Sequence, residues 1–503
     1  QTFTLGATAQ NVTADGTGAN GAIVIDTDTQ TSVTGTFDDN GGNDTIKLNL
    51  ETNNTNISTA NTTDVDTIDL ANDVDVTMTV TQHGKLNAAA GDNTITLSDA
   101  GTITGDTNVE TYVLANGGGT TITIGTTGQN VTTGNGADTI DVGDKTADGI
   151  FTTSATSIIK LSDGANITGV DAEGNGAGTA FTANNLTLAN NASATMTAAQ
   201  NNSFTDTIDG AGTNTITISD AAAVSGLAGI ETYALAAGAQ TFTLGASSQS
   251  VTADGTGANG AIVIDTDTQT SVTGTFDDNG GNDTIKLNLE TNNTNISTAN
   301  TTDVDTIDLA NDVNATMSRA QNAKIAAAAG DNTVTLSDAG AATGDANVET
   351  YVLAAGAQTF TLGATAQNVT ADGTGDNGAI VIDTDTQTTV SGTFTSAGND
   401  TIKLNVETNN TNISTATTTD VDTIDLANDV DVTMTRAQNA KLNAAAGDNT
   451  VTLSDAGAAT GDANVETYVL AAGAQTFTLG ATAQNVTADG TGANGAIVID
   501  TDT

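Results

Sequence analysis

The stretch "GGNDTIKLN", Gly41–Asn49, places two glycines and an Asn-Asp pair directly before an alternating apolar and polar pattern. It recurs as Gly280–Asn288 and, in the shorter form "GNDTIKLN", at Gly398–Asn405. Glycine, asparagine and aspartate favour turns, and the alternation is typical of a strand with one buried face. The stretch therefore predicts a turn followed by a strand, and its recurrence predicts a repeat protein.

Long repeats account for the whole chain. The segment "QTFTLGA" begins at Gln1, Gln240, Gln358 and Gln475, and a diverged copy begins near Thr120. These starting points predict four repeats and the beginning of a fifth: 1–119, 120–239 (diverged), 240–357, 358–474 and 475–503.

A shorter period lies within each long repeat. The pattern x-T-apolar-x-apolar, with one looser relative, predicts six strands in the first repeat: Gln1–Leu5, Ala22–Asp26, Asp44–Leu48, Asp66–Leu70, Asn93–Leu97 and Glu110–Leu114. One strand about every 20 residues is typical of a solenoid, in which stacking buries what a single coil leaves exposed. We therefore predict an all-β fold, one continuous parallel β-solenoid of the β-helix or β-roll kind. A string of immunoglobulin-like domains is the alternative, but such domains usually bury a Trp, and this chain has none.

One segment departs from the strand pattern. "TMSRAQNAKIAAAAGDN", Thr316–Asn332, contains good helix formers between a candidate N-cap, Ser318, and a candidate stop, Gly330. The matching segment Thr433–Asn449 has the same features. We predict a short helix or helical turn that projects from one coil in each repeat.

The composition excludes several classes of partner. The 503 residues include 60 acidic and 10 basic side chains, a formal net charge of −50. Nucleic acid and anionic lipid bind cationic surfaces and are not expected as partners, whereas divalent cations are favoured. The absence of Cys excludes disulfides, and no apolar run is long enough for membrane insertion. Because the sequence lacks an initiator Met and a signal-peptide pattern and stops in mid-repeat, we expect a processed product or part of a longer chain.

Four short segments resemble the repeats of a known kind of protein. "GNGADTID" (Gly134–Asp141) and "NGGNDTIKL" (Asn40–Leu48) resemble the RTX nonapeptide G-G-x-G-x-D-x-U-x. "NVETYVL" (Asn108–Leu114) and "TLSDAG" (Thr96–Gly101) are similar to repeats of large bacterial surface-layer proteins and RTX-like exported adhesins. The style of repeat covers essentially the whole chain, and the strict nonapeptide covers isolated turns. The resemblance implies an exported structural protein of the bacterial cell surface without catalytic activity.

The glycine-rich turns are candidate calcium sites. Calcium binds carboxylate and carbonyl oxygens, which such a turn can hold close together. The alternative is a plain β-turn with an exposed aspartate, in which glycine only supplies a positive φ. The candidate ligands are Asp38, Asp39 and Asp44, their counterparts Asp277, Asp278 and Asp283, Asp138 in the diverged repeat, and Asp400, whose turn lacks the two leading aspartates.

A recurring Asn is a candidate for glycosylation. The segment "ETNNT" fits the acidic form of N-glycosylation acceptor used by some bacteria, with Asn53, Asn292 and Asn409 as the acceptors on exposed turns. A polar loop is the simpler interpretation.

Catalysis and ice binding are disfavoured by the pattern. His83 is the only histidine, and because later repeats carry Asn in its place we interpret it as a surface residue. The acidic pairs lack recurrent basic partners, which disfavours a carbohydrate-active β-helix enzyme. An ice-binding ladder needs the same Thr pair in register on consecutive coils, and the spacing of strands in the sequence varies too widely for that.

Function should therefore reside in what every copy shares, namely strands, turns and acidity. We expect a structural protein outside a bacterial cell that forms a filament or surface layer by self-association of like subunits. The alternative is an adhesin stalk that presents a binding domain outside this sequence.

Overall fold

The computed structural model describes residues 1–16, 21–208, 210, 212–255, 260–371, 378–488, 490 and 495–501. The chain divides into two compact units. Unit 1 comprises Gln1–Gly260 and Asp278–Asp283, and unit 2 comprises Ala261–Asp277 and Thr284–Thr503.

The described strands and helices of unit 1 are β1 (Thr2–Thr4), β2 (Val12–Thr13), β3 (Ala22–Asp26), β4 (Phe37–Asp38), β5 (Thr45–Leu50), β6 (Thr55–Asn56), β7 (Thr67–Leu70), β8 (Val76–Met78), α1 (Val80–His83), β9 (Leu86–Ala88), β10 (Thr94–Leu97), β11 (Thr102–Thr104), β12 (Thr111–Val113), β13 (Thr121–Thr123), β14 (Asn130–Thr132), β15 (Thr139–Gly143), β16 (Ile150–Thr152), β17 (Ile158–Leu161), β18 (Ala165–Asn166), β19 (Asp171–Ala172), β20 (Asn185–Leu188), β21 (Ser193–Met196), α2 (Ala198–Ser203), β22 (Asp206–Ile208), β23 (Thr215–Ile218), β24 (Val224–Ser225), β25 (Thr232–Ala234), β26 (Gln240–Thr243) and β27 (Ser250–Thr252).

Those of unit 2 are β28 (Ala261–Asp265), β29 (Phe276–Asp277), β30 (Thr284–Leu289), β31 (Thr294–Asn295), β32 (Val304–Leu309), β33 (Asn314–Met317), α3 (Arg319–Asn322), β34 (Ile325–Ala327), β35 (Thr333–Leu336), β36 (Ala341–Thr343), β37 (Thr350–Val352), β38 (Gln358–Thr361), β39 (Asn368–Thr370), β40 (Ala379–Asp383), β41 (Phe394–Thr395), β42 (Thr401–Val406), β43 (Thr411–Asn412), β44 (Val421–Leu426), β45 (Val432–Met434), α4 (Arg436–Asn439), β46 (Leu442–Ala444), β47 (Thr450–Leu453), β48 (Ala458–Thr460), β49 (Thr467–Leu470), β50 (Gln475–Thr478), β51 (Asn485–Ala488) and β52 (Ile497–Asp500).

Within each unit, strands on two sides of a coil pair in parallel with strands of the neighbouring coils, and successive strands alternate between the two sides except at β18 and β19. The side that carries the "AIVID" and "TIKLN" strands, side A, has the orders β1-β3-β5-β7-β9, β11-β13-β15-β17-β20-β22 and β24-β26 in unit 1, and β28-β30-β32-β34, β36-β38-β40-β42-β44-β46 and β48-β50-β52 in unit 2. The other, side B, has β2-β4, β6-β8-β10-β12-β14-β16-β19 and β18-β21-β23-β25-β27 in unit 1, and β31-β33-β35-β37-β39-β41 and β43-β45-β47-β49-β51 in unit 2. Each unit is therefore a parallel β-solenoid, which confirms the predicted fold class.

Coils differ in length, but their strands stay in register. Paired residues are 17 positions apart at Thr94 and Thr111, and 27 positions apart at Ile158 and Asn185. The turns absorb this difference, so variable spacing in the sequence does not prevent rows of like residues from forming. The premise that variable strand spacing in the sequence keeps threonines out of register on consecutive coils is therefore wrong.

Alternation within each strand builds the core. In β5, Ile46, Leu48 and Leu50 point inward and are buried, whereas Lys47 and Asn49 face outward. Burying an aliphatic side chain of this size stabilises the fold by about 1.5–3 kcal/mol. One coil has too few such residues to fold alone, so stability comes from the stack.

The scarce aromatic residues are concentrated inside this core. Tyr351 on the side B strand β37 packs against Phe360 on the following side A strand β38, with ring centroids 4.6 Å apart, and the pair Tyr468 and Phe477 has the same spacing. All four rings are essentially inaccessible to solvent. Each of these repeats therefore gains one large aromatic contact despite an aromatic content of only 3%.

The predicted helix is present but shorter than expected. Ser318 is the N-cap of α3: its hydroxyl accepts the N–H of Gln321, whose side chain accepts the N–H of Ser318 in return. The helix ends at Asn322 rather than near Gly330, because Ile325–Ala327 joins side A as a strand. The cap was predicted correctly, and the extent of the helix was not.

Candidate functional site

Three carboxylates meet at one coil corner of unit 1. Asp38 ends β4, Asp39 follows it, and Asp64 lies one coil further along the chain. One oxygen of each lies within 4.8 Å of the other two, and all three side chains are half-buried. We call these residues the acidic corner. Anionic oxygens this close repel one another, and oxygen-rich groups of this kind suit Ca²⁺.

The turn after β4 holds two of these carboxylates in place. Oδ1 of Asp38 accepts the N–H of Asn40 at 2.7 Å, and Oδ1 of Asp39 accepts the N–H of Gly41 at 2.9 Å. Asn40 and Gly41 have φ values of 58° and 71°, which Asn and Gly adopt more easily than other residues. Sequence reasoning identified this turn but missed Asp64, because its contribution depends on the coil that follows.

The repeat 358–474 shows the same corner without the acidic group. Thr395 and Ser396 stand in place of the two leading aspartates. Oδ2 of Asp420, the counterpart of Asp64, accepts the N–H of Ser396 at 3.3 Å. This repeat therefore builds the corner from backbone hydrogen bonding, which makes it a natural reference for the acidic version.

Five of the other six predicted calcium ligands accept hydrogen bonds from backbone N–H groups. Four of them accept N–H groups from the preceding coil: Asp44 from Gly21 (2.7 Å), Asp138 from Thr120 (2.9 Å), Asp283 from Gly260 (2.7 Å) and Asp400 from Gly378 (2.9 Å). Asp138 is fully buried and also accepts the N–H of Gly134 at 2.8 Å, so both of its oxygens are engaged. Asp277 ends β29, and Asp278 closes the next turn by accepting the N–H of Gly280 at 2.9 Å. Asp44, Asp138, Asp283 and Asp400 therefore join neighbouring coils, whereas Asp38 and Asp39 belong to the acidic corner.

Carboxylates join coils elsewhere in both units. Oε2 of Glu110 accepts the N–H of Asn93 at 2.8 Å, and Oδ2 of Asp66 accepts the N–H of Ile46 at 2.7 Å. The same bonds recur in later repeats: Glu349 with Asn332, Glu466 with Asn449, Asp305 with Ile285, and Asp422 with Ile402. A hydrogen bond to a charged group is roughly twice as strong as a neutral one. Much of the acidity therefore serves the stacking of coils.

The few basic side chains are used in the same way. Lys403 pairs with Asp425 at 2.6 Å across neighbouring side A strands, and this ion pair lowers the pKa of Asp425 against the opposing effect of burial. Nζ of Lys324 donates to the carbonyls of Thr301 and Thr302 at 2.8 and 2.7 Å. Nine of the ten Lys and Arg side chains bond to a carboxylate or carbonyl of another coil in this way: Lys47, Lys85, Lys160, Lys286, Arg319, Lys324, Lys403, Arg436 and Lys441.

His83 is buried, so its interpretation as a surface residue is wrong. It ends α1 with 8% of its surface exposed, and its Nε2 lies 3.0 Å from Oη of Tyr112. Oη of Tyr112 also accepts the N–H of Asp106 at 2.7 Å. The Tyr112 hydroxyl and Nε2 of His83 share a hydrogen bond in which the tautomer of the imidazole decides which group donates. Burial lowers the pKa of His83, and burial raises the pKa of Tyr112, so both groups are held neutral.

Asparagine replaces this histidine in the other three repeats. Nδ2 of Asn322 donates to the carbonyl of Thr343 at 2.8 Å, and Nδ2 of Asn439 donates to the carbonyl of Thr460 at the same distance. In the diverged repeat, the Tyr233 hydroxyl donates to Oδ1 of Asn201 at 3.3 Å. The position therefore ties the helical turn to its neighbouring coils, which is a structural role.

The three candidate glycosylation sites lie on exposed turns. Oδ1 of Asn53 accepts the N–H of Asp75 at 2.9 Å, and Oδ1 of Asn409 accepts the N–H of Asp431 at 2.8 Å. Asn292 bonds to the next coil in the same manner. These bonds use the amide oxygen, whereas an N-linked sugar would be attached to the nitrogen.

Among the described residues, no helix is long and apolar enough to cross a membrane. The chain matches no protein-family model, no curated protein and no solved structure. The resemblance to RTX-like surface proteins therefore remains a prediction from the sequence.

Proposed function

We propose that the protein is a structural element outside a bacterial cell, where like subunits associate into a filament or surface layer. One observation carries this proposal: in each repeat, carboxylates, amides and basic side chains are used to join one coil to the next. An active site needs such groups to converge on a reacting atom. Groups committed to stacking instead produce a regular and extendable scaffold without catalytic activity.

Divalent cations are the proposed second partner. The acidic corner supplies three carboxylates, and the net charge of −50 opposes the approach of like subunits. A cation bound at such corners reduces this repulsion, and salt screens what remains. Nucleic acid and membrane insertion have no part in the proposal.

Sedimentation velocity and negative-stain electron microscopy on the purified protein, with and without millimolar calcium, test the proposal. We expect concentration-dependent growth into fibres or sheets that calcium promotes. Protein that stays monomeric at high concentration in both conditions would contradict self-association. That result would favour the alternative function, an adhesin stalk whose binding domain lies outside this sequence.

A further inference from the structure

We propose that subunits contact one another through side B of the solenoid, where consecutive strands turn uncharged residues outward. This inference rests on the self-association proposed above, and it names the surface and the partner, a second copy of this chain.

Four consecutive side B strands of unit 1, β8, β10, β12 and β14, form rows of small polar residues. The register places Thr77, Thr96, Val113 and Thr132 in one row, and Thr94, Thr111 and Asn130 in the row beside it. All seven are half-buried, as expected for side chains flanked by neighbouring strands on an open sheet. We call the outward residues of these strands, and of their counterparts in the other repeats, the threonine face.

The same rows recur in each repeat. In unit 1, the counterpart rows are Thr195, Thr217, Ala234 and Thr252 beside Thr215, Thr232 and Ser250. In unit 2, the first pair of rows is Thr316, Thr335, Val352 and Thr370 beside Thr333, Thr350 and Asn368. The next pair in unit 2 is Thr433, Thr452, Val469 and Thr487 beside Thr450, Thr467 and Asn485. Every residue in these rows is uncharged.

Side A contrasts with this face. Its outward residues include Asp26, Lys47 and Asp69 on three neighbouring strands, and Lys47 forms an ion pair with Asp69. In a chain with 60 acidic residues, most side B strands turn only uncharged residues outward. The exceptions among the described strands are Asp38 on β4, Asp171 on β19 and Asp277 on β29. Two like-charged copies repel wherever their charged surfaces meet. The threonine face is where two copies can approach without that repulsion.

The shape and chemistry of the threonine face also suit a second copy. Thr, Val, Ala, Ser and Asn are small, so two such sheets can approach to about 10 Å, the usual distance between packed sheets. Hydroxyl groups can donate and accept across the interface, and methyl groups fill the space between them. A contact between identical faces is self-complementary, as two-fold symmetry requires.

The size of the face predicts that association is multivalent. Four strands about 4.8 Å apart, with about three residues each at 3.4 Å, cover on the order of 200 Å². A stable interface usually needs about 800 Å² from each partner. Several repeats must therefore engage together, so association should strengthen steeply with the number of repeats.

The test places the same new charges on either side of the solenoid. One variant carries T96E, T335E and T452E on the threonine face. Its matched control carries T67E, T306E and T423E at half-buried strand positions of side A, where each new Glu lies beside Lys47, Lys286 or Lys403. Both variants gain three negative charges, so a difference between them reports on location. Circular dichroism and melting temperature check that both fold.

Sedimentation velocity should show at least a tenfold weaker association for the threonine-face variant and less than a twofold change for the control. Equal association of both variants with the parent would overturn the inference and leave the proposed function standing. If the parent does not associate in any condition, both the function and this inference fail. A monomeric parent that binds ice or a neutral polysaccharide, with binding lost only in the threonine-face variant, would assign the face to a different occupant.

Discussion

Replacing His83 by Asn should remove a pH-dependent part of the stability of the first repeat. Burial holds the pKa of His83 below its usual value of 6.5, against the opposing effect of Asp106, and so favours the neutral imidazole beside the Tyr112 hydroxyl. A base whose pKa is lower in the folded state binds fewer protons when folded, so protonation favours unfolding. Its stabilising contribution is complete above pH 6.5 and decreases as the pH falls. If the folded state stays unprotonated, lowering the pH from 7.5 to 5.5 costs about 1.4 kcal/mol.

Amide hydrogen exchange in α1 and β11 is the suitable assay, because an array of repeats need not unfold in a single step. The parent should lose more protection between pH 7.5 and 5.5 than the His83→Asn variant does, by at most about 1.4 kcal/mol. Asn at this position should fold normally, since Asn322 and Asn439 occupy it in other repeats. All other ionisable groups are the same in both proteins, so their effects cancel in the comparison. An identical pH dependence for the parent and the variant would refute the reasoning.

Three further predictions concern polar groups in the turns and between the coils. The substitution Tyr351→Phe leaves the N–H of Asp345 without the hydroxyl oxygen that accepts it at 2.8 Å, which should destabilise that coil by about 1–3 kcal/mol. The loss should be measured as faster amide exchange at Asp345, and unchanged exchange would contradict the assigned bond. The substitution Lys324→Met removes two hydrogen bonds to backbone carbonyls and should lower the melting temperature. The control Lys145→Met changes the one Lys or Arg that is not among the nine with described inter-coil contacts, and it should leave the melting temperature unchanged. Equal effects of the two substitutions would argue against a specific stabilising role of Lys324. Chelation of calcium by EGTA should lower the melting temperature of the parent. The double substitution Asp38→Thr and Asp39→Ser copies the repeat 358–474 and should reduce the number of calcium ions bound, as measured by calorimetry. A parent whose melting temperature does not respond to calcium would leave the acidic corner as a plain turn.

The sequence predicts a strand well where apolar and polar residues alternate within that strand. β5 was recognised because its buried and exposed residues alternate over six positions. β6 and β9 were missed because Thr55–Asn56 and Leu86–Ala88 contain at most two apolar residues, and they become strands only through pairing with neighbouring coils. Pairing also explains the short helix α3, since the strand Ile325–Ala327 pairs with β32 despite the helix propensity of alanine. Local signals such as the Ser318 cap were read correctly, and effects of stacking were not.

The candidate site follows the same division. The turn at Asp38 and Asp39 was visible in the sequence because Gly and Asn mark it, but nothing there indicates that Asp64 joins it from the next coil. His83 was misplaced because the sequence does not show which way a single helical turn faces. The threonine rows were missed for a similar reason: turn lengths hide a register that backbone pairing restores.

The matching registers of β38 and β50 have a consequence for how such a gene changes in length. Phe360 lies beside Ala342, and Phe477 lies beside Ala459, so the two "QTFT" strands sit on equivalent "AAT" strands. Recombination that deletes residues 358–474 would join Ala357 to Gln475 and restore the same coil, with its pairing and burial intact. Duplication of the same segment would be equally silent at the junction. Evolution can therefore shorten or lengthen this protein by a whole repeat in one step, without passing through a form that fails to fold.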